Sequence, residues 1–129
     1  MATTTAAQRR AQAKAEYDAF LAACPSRQLL DRISDKWVTL VLCALGAGGA
    51  MRYSELSRKL AGVSQKMLTQ TLRALESDGL ITRTVTPTVP VTVSYELTRL
   101  GSSLHLTVRA LKSWAEANMD EVLARRSPG

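Results

Sequence analysis

The sequence predicts a mainly α fold with a small β-hairpin wing (α+β): a winged helix-turn-helix, with N- and C-terminal helices forming a dimer interface. Three observations predict it. An amphipathic helix over 64–79, S-Q-K-M-L-T-Q-T-L-R-A-L-E-S-D-G, follows a shorter helix across a tight turn that contains Gly62. Directly after it the apolar period changes to two, giving two β-branched strands joined by a Pro-bearing loop. A long helix with two apolar stripes then closes the chain. The 129 residues suffice for one domain with a modest core, and 46% hydrophobic against 22% charged residues is a globular composition.

Residues 7–23, rich in Ala, Gln, Arg, Lys and Glu, favour an N-terminal helix. Its stripe of Ala13, Tyr17, Phe20, Leu21 and Cys24 lies far from the centre of the domain and needs a partner surface. Pro25 ends it, because the residue before a proline is pushed out of the helical region. A short helix over 26–33 turns Leu29, Leu30 and Ile33 inward. Ser34 or Asp35 caps a third helix from Lys36 to about Leu45, apolar all the way round and therefore central. Gly46, Gly48 and Gly49 terminate it, and 51–53 forms a very short strand. Ser54 caps the next helix, 55–60, so the helix-turn-helix occupies 54–79. The wing spans 80–97: Ile81, Arg83 and Val85 alternate with threonines, and Val91, Val93, Tyr95 and Leu97 alternate with polar residues. Thr98 caps the last helix, 98–125, bent near Gly101. One of its stripes runs Leu100, Leu104, Val108, Leu111, Ala115, Met119, Val122, and the other runs Leu106, Ala110, Trp114, Ala117. One stripe suffices to dock on the domain; two imply a second subunit.

The helix over 64–79 has two unlike faces. Leu68, Leu72 and Leu75 form its apolar stripe, Ser64 caps it, Val63 and Leu68 can close a hydrophobic staple, and Gly79 stops it. Its other face carries Lys66, Thr69, Gln70, Arg73 and Ser77. Amides, hydroxyls and cations are the groups that read base edges in a major groove. Ser64 and Gln65 at the helix mouth, with Lys66, Thr69, Gln70 and Arg73, are the candidate base-reading residues. The bland alternative is a solvated helix face. Arg52, Arg58 and Lys59 flank this helix as phosphate contacts or plain surface, and Arg83 stands at the base of the wing. A net charge of +6 suits a polyanionic partner, double-stranded DNA. No Gly-rich phosphate loop, Ser/His/Asp frame or C-x-x-C occurs, and there is one His, so no enzyme activity, cofactor or metal is expected. No apolar run is long enough for a membrane span and no leader is visible, so a cytoplasmic protein is expected. Trp37 and Cys43 read as core, Trp114 as interface, and His105 as a residue without a role.

Several strings together carry a family resemblance: Cys24-Pro25, Asp35-Lys36-Trp37, R-Y-S-E-L at 52–56, G-V-S-Q-K-M-L-T-Q at 62–70, Leu72-Arg73, Leu75-Glu76, Asp78-Gly79-Leu80, and S-Y-E-L-T at 94–98 with Leu100-Gly101. Over roughly 24–114 the chain resembles the HxlR-type family of bacterial winged helix-turn-helix regulators, relatives of the MarR type. The resemblance implies a homodimer that binds an inverted-repeat operator, as repressor or activator. It also implies a response to quinones, aldehydes, hypochlorite or another electrophile, with the Cys at the position of Cys24 as sensor. Local chemistry agrees: Cys24 precedes a helix start whose unpaired N–H groups favour a thiolate, and Arg27 adds positive charge. One departure stands out, because family wings often carry a basic residue near the position of Thr92 and this wing has only Arg83. The alternatives are a ligand-responsive regulator without thiol sensing, and a winged helix used for protein contact.

Overall fold

The computed structural model describes residues 3–126. In chain order the elements are α1 (Ala6–Ala23), α2 (Pro25–Ile33), α3 (Lys36–Gly48), β1 (Met51–Arg52), α4 (Tyr53–Lys59), α5 (Gln65–Ser77), β2 (Ile81–Thr86), β3 (Thr92–Leu97) and α6 (Arg99–Arg126). They fall into two compact units, divided between Asp35 and Lys36. Mainly helical, with a three-stranded antiparallel sheet that includes the wing, this is the expected fold class.

In the first unit α1 opens with a reciprocal cap. The Thr5 hydroxyl accepts the Gln8 N–H at 3.0 Å, and the Gln8 side-chain oxygen accepts the Thr5 N–H at 2.8 Å. Cys24, extended at φ −69° and ψ 125°, ends α1 and begins α2, as a residue before proline should. Pro25 takes the first helical position, where no N–H is needed. Leu29 and Leu30 do not turn inward as expected: no residue of α1 or α2 is buried, and Leu30 is 56% exposed.

The second unit holds the core. Val41, Leu42 and Leu45 of α3 are buried with Leu56 and Leu60, Leu68, Leu72 and Leu75 of α5, Ile81, Tyr95 and Val108. Two expectations about α3 need correction. Leu40 faces solvent, so the helix is not buried all round. It also runs past Leu45 to Gly48, and Gly49, at φ +71°, supplies the left-handed residue that ends it. Gly46 lies inside the helix, and the His105 imidazole occupies the space a Cβ there would need, so glycine is the residue that fits.

α4 begins at Tyr53, not after Ser54, with Arg52 in the capping position. The Glu55 carboxylate accepts the Arg52 N–H at 3.1 Å, which fixes the earlier start. β3 is the middle strand, pairing with β1 (Met51 opposite Tyr95) and with β2 from Ile81 opposite Leu97 to Thr86 opposite Thr92. On β2 only Ile81 is buried, so the wing is anchored at its base and projects beyond the core. α6 runs as one uninterrupted helix through Gly101. A Cβ at Gly101 would collide with the Leu80 carbonyl, so glycine is required there for close packing. Thr98 caps α6 as expected: its hydroxyl accepts the Gly101 N–H at 3.0 Å and donates to the Gly79 carbonyl at 2.7 Å. Val108 and Leu104 dock α6 on the core.

Candidate nucleic-acid interface

The turn between α4 and α5 reverses at Gly62, φ +88°, a backbone state that glycine enters without strain. The Ser64 hydroxyl then accepts the Met67 N–H at 3.1 Å and starts α5. Leu68, Thr71, Leu72 and Leu75 are buried, which pins the rotation of α5 about its axis. The same rotation leaves Gln65, Lys66, Gln70, Arg73 and Ser77 exposed. No acidic residue lies in the first turn of α5, so its N-terminal N–H groups and dipole favour an approaching anion.

α5 and the wing enclose a groove of about 530 Å³, lined by Tyr53, Gln65, Thr69, Leu72, Arg73, Glu76, Arg83 and Tyr95. Of the residues expected to meet DNA, this groove brings together Gln65, Thr69, Arg73 and Arg83. Lys66 and Gln70 stand exposed on α5 outside it, and Ser64 serves the cap. Arg52, Arg58 and Lys59 lie on β1 and α4, exposed and apart from the groove. Arg58 and Lys59 occupy the last turn of α4, where a cation is favourable to the helix dipole. Beyond Arg83 the wing carries threonines, and its tip presents Val89 and Val91 to solvent.

Tyr53 escaped the sequence reading. Its hydroxyl donates to the Gln65 carbonyl at 3.1 Å and lies 3.4 Å from the Thr69 hydroxyl. It thereby ties the start of α4 to the first turn of α5. Thr69 is half-buried and engaged with Tyr53, while Gln65 keeps its side chain for the groove. The contacts span 12 and 16 residues, and no helical or strand period marks such a pair.

Cys24 is a half-buried free thiol in the first unit. The backbone N–H groups of Arg27, chiefly, and of Ser26 hold its pKa below the usual thiol value. Neither closes a hydrogen bond to the sulfur as a helix cap. Arg27 therefore contributes through its main chain, not through its guanidinium, which turns to Asp31 at 3.2 Å. Cys43 is the second free thiol, half-buried beside the core. Among the described residues no cluster of His, Cys, Asp or Glu could hold a metal, and no helix is long and apolar enough to cross a membrane.

Comparison with known proteins agrees with this geometry. Residues 32–123 match the HxlR-like helix-turn-helix family. The chain is 47% identical over 111 residues to the HTH-type transcriptional regulator YtfH of Escherichia coli (strain K12), covering 86% of this chain and 87% of that one. The solved structure of the transcriptional regulator ytfH from Salmonella typhimurium superposes with a TM-score of 0.74 at 47% identity, covering 83% of this chain and 95% of that one. The redox regulator HypR in its reduced form gives a TM-score of 0.71 at 37% identity, over 78% of this chain and 99% of that one.

Proposed function

We propose, from the premise that this chain belongs to the HxlR-like helix-turn-helix family of transcriptional regulators, that it acts as a homodimer on an inverted-repeat operator. α5 enters the major groove, and Gln65, Lys66, Gln70 and Arg73 meet base edges there. Ser64 and Thr69, whose hydroxyls cap α5 and meet Tyr53, position it. Arg52, Arg58, Lys59 and Arg83 meet phosphates. The observation that carries this reading is the groove in which Arg73 of α5 and Arg83 of the wing converge beside Gln65. The dimer contact falls to α1 and α6, whose Tyr17, Phe20, Leu106 and Trp114 are all more than half exposed.

The signal enters through Cys24. Its thiolate attacks an electrophile or is oxidised, and the change at the junction of α1 and α2 alters the spacing of the two recognition helices. The lowered thiol pKa supports this reading, as does the likeness to HypR, a protein described as a redox regulator. Two experiments test the two halves. Sites selected by the protein from random duplex DNA should converge on an inverted repeat whose half-sites lie one helical turn, about 34–36 Å, or a multiple apart. Selection that enriches no motif contradicts the operator reading. Diamide or a quinone should release the wild-type protein from the selected site and leave Cys24→Ser bound; release of both removes Cys24 from the mechanism.

A further inference from the structure

A second cleft lies within the second unit, where the last turns of α3 meet α6. It measures about 290 Å³ and is lined by Cys43, Gly46, Ala47, His105, Arg109 and Lys112. We propose that it binds a small organic carboxylate, with the carboxylate on Arg109 and Lys112 and the apolar part against Ala47, Cys43 and the His105 ring.

Charge is the first argument. His105, Arg109 and Lys112 recur at helical spacing along one side of α6, and no carboxylate lines the cleft. Lys112 has a partner outside it, Glu116, at a long 3.9 Å between exposed groups. Such a contact contributes little and leaves the ammonium available. No ion pair or side-chain hydrogen bond engages the Arg109 guanidinium among the described residues. These cations are not needed to offset the negative end of α3. That end already has Lys59, whose ammonium lies 3.8 Å from where a Cβ on Gly48 would sit. Arg109 and Lys112 bring two positive charges to the cleft and Glu116, outside it, offsets only part of one, so a carboxylate bound there meets positive charge that nothing lining the cleft compensates. Arg109 can hold that group through two parallel N–H donors.

Shape is the second argument. The His105 imidazole lies flush against Gly46, where any side chain would displace it. Glycine there keeps one wall of the cleft flat and apolar. At about 290 Å³ the space is just below the roughly 300–1,000 Å³ that holds drug-sized ligands, so the occupant is a small acid. The cleft adjoins a second one, shared through Gly46, His105 and Arg109, which adds Arg99 together with the carboxylate of Glu96. A longer acid has room to extend in that direction. This ligand site is separate from the DNA groove and does not depend on the DNA-binding reading.

The test is a backbone-amide NMR titration of the full chain with benzoate as probe, beside benzyl alcohol of the same shape without charge. Benzoate should shift amides of 43–47 and 105–112 saturably, and benzyl alcohol should not. Arg109→Gln, at an exposed position, should weaken the benzoate response about tenfold. The protein's own fingerprint spectrum reports whether that variant remains folded, and Lys112→Gln provides a second exposed variant that should also weaken binding. No saturable shift, shifts confined to other regions, an equal response to the alcohol, or unchanged binding by both variants would each overturn the proposal.

Discussion

α5 and α6 are both helices with apolar stripes, and they use them differently. α5 has 13 residues and buries Leu68, Thr71, Leu72 and Leu75 within its own chain. α6 has 28 residues and buries only Gly101 and Val108. Along the rest of α6, Leu106, Leu111, Trp114 and Leu123 are each more than half exposed. A helical apolar period reports that a partner surface exists; it does not report which molecule supplies it. Burying a Leu-sized side chain stabilises by about 1.5–3 kcal/mol, so four such residues on one helix are a substantial drive to associate. α5 is a finished element with an exposed outer face, whereas under the proposed reading a second copy completes α6 and α1.

The sharpest separation comes from truncation in each region. Leu68→Ala, at a fully buried position, should cost about 2–5 kcal/mol of unfolding free energy in denaturant titrations. That cost should not vary with protein concentration. Trp114→Ala should instead lower stability only at concentrations where the wild type associates. A concentration-independent loss at Trp114 would break the comparison, because it would put that side chain in the monomer's own core.

Next in size are the effects on DNA. Arg73→Ala should cost about 1–3 kcal/mol at a selected operator and much less on scrambled DNA, if its guanidinium reads a base. Arg58→Ala should weaken both duplexes alike and reduce the salt slope by about one. Titrations at several salt concentrations distinguish the two, and equal losses for Arg73→Ala on both duplexes would reduce it to a phosphate contact.

Much of this contrast was legible in the sequence. The Leu68, Leu72, Leu75 stripe, the Ser64 cap and the Gly79 stop are local signals, and the structure places α5 within two residues of the expected span at each end. The doubling of the stripe on α6 was local as well. Three things were not legible, each for a physical reason. The glycines after Leu45 read as a stop, but α3 runs on to Gly48, and the His105 ring, 59 positions from Gly46 in sequence, fills the space a Cβ at Gly46 would need. Arg27 read as a positive neighbour of Cys24, but its side chain pairs with Asp31 one turn on and only its N–H remains to act. Tyr53 went unread because its partners, Gln65 and Thr69, lie across the turn on another helix. Local period and caps are written in neighbouring residues; the effects at Gly46 and Tyr53 depend on tertiary proximity, and the one at Arg27 on which of two nearby groups its side chain meets.

Smaller effects follow at the helix starts. Ser64→Ala should cost about 1 kcal/mol, because the Met67 N–H loses its acceptor. Thermal unfolding beside Leu68→Ala would rank the two, and an equal cost for both would contradict the assignment of α5's stability to its buried stripe. At Cys24 the effect is on rate. Only the thiolate reacts, so alkylation should rise with pH and level off about a pKa below that of the same cysteine in the urea-unfolded chain. Coincident native and unfolded profiles, read by mass spectrometry, would remove the influence of the Arg27 and Ser26 N–H groups.

The central claim is that a second copy covers the faces of α1 and α6 that this chain leaves exposed. Sedimentation equilibrium at micromolar concentration tests it directly, with and without DNA. The account predicts a dimer in both conditions, shifted toward monomer by Phe20→Ser or Trp114→Ser while the fold of α5 is retained. A monomer at every concentration, free and on DNA, would contradict it.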